Sequence, residues 1–484
     1  FRMLFDINRF HLLALFTWQF TIFFASQQIF PIFSNYVPEW SCEGGPVGKD
    51  CGEYDRCKGN VTFIDPAFDS AALEFGWICS NSYWSSFFSQ MQFAGVLCGT
   101  ISFGTASDFF GRKPVAVLAL SLGVTASLVS AIVHTSWMLF ACRFVVGLCV
   151  GGALVVVCTF VMEMLLPKQR MALRAFFNWG VARLLITLIC MWTGEWRVAS
   201  LVCALVAAPA ILILVFVFPE SPTWLHSKGR LDEMRESEKA VARRGGVEYV
   251  PIKHRKIEKS KSLCEVLRGG LLKRLLVLWF MWFTASTCGY ATDLNSNTIS
   301  GDLYANQILF SILIWLSKML LVAADTYVPG FSRRMLHQVS QLGAVLCFGT
   351  LTILTFIEYD GVAFLVINLI GTVFVEYTWD ACYLCAVESM ETSSRASATG
   401  SCSLIARVGA ILAPTLTFIN QQLPGSVYLI VVILGTINLI QSYLFLVETK
   451  DIVLDNVTLD EEEELQLEDE GTELNKIENG DKKN

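Results

Sequence analysis

The sequence predicts an all-α membrane protein of twelve transmembrane helices arranged as two bundles of six. Three observations lead there. Charged residues are scarce, uncharged apolar runs of about 20 residues recur, and one long polar segment divides those runs into two groups. Only 16% of the 484 residues are charged and 54% are hydrophobic, against about 25% charged in an average globular chain. Mean hydropathy is +0.52. Stretches such as Pro114 to Val133 carry no charge at all. A soluble core hides its apolar residues at helical or alternating spacing, so such runs exclude it. A helix satisfies its own backbone hydrogen bonds, which lipid cannot do, and each run therefore reads as a spanning helix.

The first helix is expected over about Phe10 to Phe33, closing an N-terminal unit of 1–33. A polar loop of 34–82 follows. The second helix starts near Tyr83, the third at Pro114 and the fourth near Trp137; the fifth ends near Gly194 and the sixth at Phe218, so helices two to six occupy 83–218. The central polar loop, 219–270, is rich in cations such as Lys228, Arg230, Arg235, Arg243 and Arg244. Six further helices fill 271–447. Paired six-helix halves with nested repeats are the architecture of one large transporter class.

The formal net charge of −7 comes from the last segment, 448–484. From Asp451 onward it holds 13 acidic residues against 3 lysines. It is nearly free of aromatics, and that composition predicts disorder. The sequence begins at Phe1 rather than Met, and a short preceding piece is expected. No cleavable signal peptide is evident, so the first helix is expected to act as the insertion signal.

Orientation follows from cationic loops. The turns after helices two, four, eight and ten carry Arg112 and Lys113; Lys168 and Arg170; Arg333 and Arg334; and Arg395. The alternate turns hold almost none. Both termini and the central loop are thereby expected in the cytosol, with the 34–82 loop outside. That loop carries Cys42, Cys51, Cys57 and Cys79, an even number in an oxidising compartment, which implies two disulfides of open pairing. It also carries the sequon Asn60-Val61-Thr62, making Asn60 a glycosylation candidate. The identical triplet Asn456-Val457-Thr458 falls in the cytosolic tail and is expected to stay bare. The remaining cysteines of the 16 are scattered in helices as small hydrophobes, with no metal-site spacing.

Between helices two and three stands Gly104-Thr-Ala-Ser-Asp108-Phe-Phe-Gly111-Arg112-Lys113. Its glycines allow a tight turn, and Asp108 can pair with Arg112. After helix eight the chain reads Asp325 through Gly330 to Arg333 and Arg334, a chemically similar turn at the matching place. Repeated surface ion pairs suit two bundles that rock against each other; solvated anchoring charges are the plainer alternative.

The Asp-x-x-Gly-Arg-Lys turn is the signature of the major facilitator superfamily, which this chain resembles. Arg143-Phe-Val-Val-Gly147 with Gly151-Gly152 looks like its fourth-helix motif. Pro219-Glu220-Ser221-Pro222-Thr223-Trp224-Leu225 and the Glu388 to Arg395 segment resemble the organic ion transporter family of solute carriers. The resemblance runs from Asn8 to about Thr449. It departs at Phe109 and Thr223, where the family usually has Arg, and at Glu391, where it has Pro. It implies that Asp108, Arg112, Glu163, Arg170, Glu220, Asp325, Arg333, Arg334, Glu388 and Arg395 form cytosolic gating ion pairs.

A charge near the bilayer centre costs at least about 2.5–3.5 kcal/mol, so each is a functional candidate. Three cations qualify, Arg183, Lys318 and Arg407, with two acids, Glu376 and Asp380; together they leave one net positive charge. Arg143 is set aside as nearer a helix end. Glu376, Trp379, Asp380 and Tyr383 share one helical face. By resemblance, Lys318 and Arg407 match the basic positions of organic anion carriers, and Tyr290, Trp379 and Tyr383 match aromatics lining the substrate path. The alternative is that Arg183 or Lys318 pairs with Glu376 or Asp380 and braces the bundle.

The expected function is secondary transport of small organic anions, chiefly carboxylates, by alternating access, with exchange for a counter-anion implied by the family. A carrier of cations or carnitine-like zwitterions, using Glu376 or Asp380 for the ammonium, is the second reading. A non-transporting scaffold or sensor with the same fold is the third. No nucleophile with a neighbouring base, phosphate loop or metal cluster points to an enzyme, and no cofactor is implied. The partners expected are the solute and the bilayer, with no nucleic acid, in a monomeric plasma-membrane protein.

Overall fold

The computed structural model describes residues 8–42, 47–48, 51–57, 61–64, 67–165, 177–250, 263–268, 272–328, 331–359, 361–388 and 392–446. Among them, eleven helices are long and apolar enough to cross a membrane, and a twelfth is shorter. In chain order they are α1 (Arg9–Ser34), α2 (Tyr83–Phe110), α3 (Arg112–Ile132), α4 (Ser136–Met164), α5 (Trp179–Thr193), α6 (Trp196–Phe216), α7 (Leu272–Asn295), α8 (Leu303–Tyr327), α9 (Arg333–Phe356), α10 (Val362–Glu388), α11 (Thr392–Gln422) and α12 (Ser426–Phe445). This is the twelve-helix, two-bundle architecture expected from the sequence. Asn60, Arg170 and the acidic tail lie outside the described residues, as do the side chains of Glu388 and Arg395.

Local chemistry sets the helix ends. Asn8 caps α1 by accepting the His11 N–H at 2.8 Å, and Asp302 caps α8 through the Ala305 N–H at 2.6 Å. Each satisfies a backbone donor that the first helical turn leaves open. Gly194 ends α5 in the left-handed conformation, φ +67°, which glycine enters without steric cost.

The loop between α1 and α2 folds on itself. A two-stranded antiparallel ribbon joins β1 (Trp40–Cys42) to β2 (Val61–Phe63). Disulfides link Cys42 to Cys57 and Cys51 to Cys79. The four cysteines expected to pair thus do so, in a pairing the spacing left open. Glu74 ties the loop to α6, accepting from Trp196 Nε1 at 2.8 Å and Arg197 Nη2 at 2.5 Å.

Inside the first half, α2 and α4 pack backbone to backbone. A Cβ added at Gly99 would stand 1.9 Å from the Leu148 carbonyl oxygen, and one at Gly147 would stand 1.9 Å from that of Gln92. Gly95 and Gly99 on α2 face Gly147 and Gly151 on α4, a small-xxx-small seam on each partner. Lipid supplies no hydrophobic drive between helices, so close backbone approach of this kind is a main source of their attraction. The two halves meet along α5 with α8 and α2 with α11. A Cβ at Gly180 of α5 would lie 2.6 Å from the Trp315 amide nitrogen of α8, and Gln90 donates to Thr415 at 2.6 Å.

Gly147→Leu is therefore expected to abolish folded protein, because the obstructing atom is backbone. Gly104→Ala, whose Cβ would meet only a Val155 methyl at 3.5 Å, is expected to fold normally. Monodisperse yield in detergent checks both.

Candidate functional site

Three charged groups lie within the spanning helices. The first is a triad in the second half. Lys318 Nζ of α8 sits 2.6 Å from Asp380 Oδ2 and 2.9 Å from Glu376 Oε2, both on α10. Glu376 and Asp380 are one turn apart, so a single ammonium reaches both. The pairing left open for Lys318 is thus what the structure contains, and its charge is held by two carboxylates. The second is an ion pair between Arg183 of α5 and Asp293 of α7. Arg183 also donates to Gln307 Oε1 at 2.8 Å and lies 5.2 Å from the Phe310 ring centre. Neither acid expected as its partner takes that role.

The third is Arg407 of α11. Its guanidinium lies beside the Tyr290 hydroxyl, and its Nε is buried without a hydrogen-bond partner. Among the described residues no carboxylate stands within ion-pair distance of it. Asp293 brings the five charges counted from the sequence to three cations and three carboxylates, and the completely buried Arg143 restores one net positive charge. Locally the balance is uneven: the triad carries one excess negative charge and Arg407 one positive.

Aromatic rings complete the surroundings. Trp379 lies 5.5 Å and Tyr383 6.2 Å from the ring of Trp282 on α7, whose Nε1 donates to the Cys382 carbonyl at 3.1 Å. Tyr290 stands apart from that group. It packs edge-on against Phe93 at 4.8 Å and donates to Gln28 Oε1 of α1 at 2.8 Å. Sequence reasoning missed Trp282, one of several aromatics in its stretch, and Asp293, which falls three residues after Tyr290 and so shares its face. Arg143, set aside as near a helix end, is completely buried. It donates to Gln27 Oε1 at 3.0 Å and Ser200 Oγ at 3.2 Å and faces the rings of Phe30 and Phe88.

Of the expected gate residues, Asp108, Arg112, Glu163 and Glu220 gather around the turn between α2 and α3. Arg112 Nη1 bonds Asp108 at 2.7 Å and its Nε lies 3.6 Å from Glu163. Glu220 accepts the backbone N–H groups of Arg112 and Lys113 at 3.0 and 3.1 Å. Ser221 Oγ donates to Glu163 at 2.5 Å. In the second half Arg333 pairs with Asp325, repeating the Asp–Arg turn. Arg334 donates to the Tyr443 carbonyl at 2.7 Å. Among the described residues these ion pairs stay within one half. The opposite end is stitched across the halves: Tyr290 to Gln28, Asn297 to the Ile32 carbonyl at 3.1 Å, and Tyr304 to the Ala67 carbonyl at 2.7 Å.

Comparison with known proteins places this architecture. The family model described as sugar (and other) transporter matches residues 39–460. The chain belongs to this family of membrane transporters. An uncharacterized Caenorhabditis elegans protein is 36% identical, covering 93% of this chain and 94% of the relative. Solute carrier family 22 member 15 of Xenopus tropicalis is 28% identical, covering 79% and 74%. Organic cation/carnitine transporter 4 of Arabidopsis thaliana is 25% identical, covering 84% and 80%. The fold matches the inward-open xylose transporter XylE of E. coli with a TM-score of 0.63 at 15% identity, covering 92% of this chain and 97% of that one. The protein is thus a major facilitator transporter of the solute carrier 22 kind, a membrane carrier and not an enzyme.

Lys318→Ala leaves two half-buried carboxylates facing each other with no cation between them, and removing one side of such a pair is destabilising. Its melting temperature in detergent is expected to fall sharply. The charge-free combination Lys318→Met, Glu376→Gln, Asp380→Asn is expected to recover much of the loss.

Proposed function

We propose that the protein carries small organic carboxylates across the plasma membrane by alternating access between its two bundles, with both termini in the cytosol. One observation carries this reading: Arg407 is a mid-span guanidinium with a buried, unpartnered Nε and no carboxylate in reach. A charge in that setting calls for a counter-charge, and a guanidinium binds a carboxylate through two parallel hydrogen bonds. Tyr290 lines the same place, with its one O–H donated to Gln28. Trp282, Trp379 and Tyr383 offer an apolar wall for the solute's body. Lys318, already shared by two acids, takes a bracing role here rather than an anion-binding one.

In this reading the Asp108–Arg112–Glu163–Glu220 network and the Asp325–Arg333 pair are cytosolic latches, joined by Arg170, Arg334, Glu388 and Arg395. The Cys-bridged loop faces outside with a glycan on Asn60. Exchange for a counter-anion and a monomeric state follow from the family resemblance.

One observation favours a second reading, a zwitterion or cation. The Lys318–Glu376–Asp380 triad holds one excess negative charge beside three aromatic rings, a setting that attracts a quaternary ammonium. A zwitterion with its carboxylate on Arg407 and its ammonium at the triad satisfies both. The names of the Arabidopsis organic cation/carnitine transporter and the Drosophila melanogaster organic cation transporter protein, 25% identical, lean the same way.

The test is uptake by expressing cells of labelled aromatic carboxylates, quaternary amines and carnitine-like zwitterions. A charge-assisted bond is worth about 1.5–3 kcal/mol, so Arg407→Ala is expected to weaken carboxylate uptake by roughly ten- to a hundredfold, with Asp380→Asn far milder. Amine uptake that depends on Asp380 and not on Arg407 would overturn the anion reading. No uptake from protein present at the surface would favour a scaffold.

A further inference from the structure

The last described residue of the second half, Leu446, is set beside the central polar loop. It is buried in the apolar cluster that holds Leu275 and Leu278 of α7 and Cys402 of α11. Leu263 and Leu267, on the loop helix Leu263–Arg268, pack against the same cluster. The loop's longer helix, Leu231–Gly245, is fixed to the first half: Ser237 Oγ donates to the Glu220 carbonyl at 2.5 Å, and Arg244 donates to the Val217 carbonyl just after α6. Charges on this helix are segregated. Asp232, Glu233, Glu236 and Glu238 fill its first turns, where Arg230 pairs with Glu233 and Arg235 with Glu238. Its last turns carry Lys239, Arg243 and Arg244, all exposed. Lys273 and Arg274, also exposed, open α7 of the second half. From Lys239 to Arg274 the sequence holds 11 cations and 3 acids, whereas the segment from Asp451 onward holds 13 acids and 3 lysines.

These opposite charges are joined by a short piece of chain. Asp451 follows Leu446 by five residues, and the run Asp460 to Glu464 starts 14 residues after it. Fully extended, those residues span up to about 45–50 Å, against about 8–10 Å between neighbouring helix axes. We propose that the acidic segment 451–484 docks on the basic surface formed by Lys239, Arg243 and Arg244 on the first half and by Lys273 and Arg274 on the second. Each exposed ion pair alone is weak. Many pairs on one tethered segment act together, because the tether replaces a bimolecular encounter with a high effective concentration. Among the described residues, the ion pairs at the Arg112 end stay within one half. A docked segment supplies an electrostatic link across the halves at that end. Such docking is independent of which solute is carried.

The test is zero-length cross-linking of carboxylates to lysines in the full chain, held in phosphatidylcholine nanodiscs and read by mass spectrometry. Bonds from the acidic segment to both Lys239 and Lys273 are expected. Raising salt from about 0.1 M to about 1 M shortens the Debye length from about 10 Å to about 3 Å and is expected to reduce both bonds several-fold. Arg243→Gln with Arg274→Gln, which leaves both lysines in place, is expected to lower them too. Neutralising the run by Asp460→Asn, Glu461→Gln, Glu462→Gln, Glu463→Gln and Glu464→Gln is expected to weaken the bonds made by the remaining Glu468, Asp469 and Glu470. Absence of bonds to both lysines, or bonds to Lys273 alone, would overturn docking across the halves. Bonds formed only between copies, seen on mixing isotopically light and heavy protein, would overturn it in favour of a second chain. Bonds lost when phosphatidylserine is added to the nanodiscs would overturn it in favour of lipid headgroups.

Discussion

Ionised side chains in the interior of a membrane protein must find partners, and that constraint organises this molecule from its core outward. Arg183 finds Asp293, Lys318 finds Asp380 and Glu376, and Arg143 is wrapped in Gln27, Ser200 and two aromatic faces. Arg407, with its buried bare Nε, is left with a neighbouring phenol and no carboxylate. An uncompensated charge within a membrane span favours binding a counter-charge, and the proposed function rests on that preference at Arg407.

The same constraint explains where the halves hold together. At the loop end, bonds run between bundles, from Gln28 to Tyr290 and from Gln90 to Thr415. At the Arg112 end, the described ion pairs run within bundles, in the two Asp–Arg turns. The proposed rocking motion would use this asymmetry: the loop end is stitched across, and at the other end the described charges are satisfied without bridging. The close seam of α2 on α4 sets the two backbones against each other with no room for side chains between them.

Much of this was legible in the sequence because lipid leaves the backbone few choices. Uncharged runs could only be helices, so the twelve spans and the two halves followed from composition. The Asp-x-x-Gly-Arg-Lys turn and its echo at Asp325 named the fold, and the shared face of Glu376 and Asp380 foreshadowed a common partner. What remained hidden depended on distance along the chain. Gln28 and Tyr290 are 262 residues apart, and no spacing rule links them. The cysteine pairing was open because four thiols allow three pairings. Asp293 escaped because it lies in the last turn of its span and resembles the polar loop that follows. Arg143 escaped because a motif match stood in for the question of what neutralises it.

The account's central claim is that the solute meets Arg407 while the other intramembrane charges stay paired with one another. A structure of the protein with a transported aromatic carboxylate bound tests it most directly. The account predicts the solute's carboxylate within ion-pair distance of Arg407 and the Lys318–Glu376–Asp380 triad undisturbed. A carboxylate seated on Lys318, with Glu376 and Asp380 displaced, would contradict it.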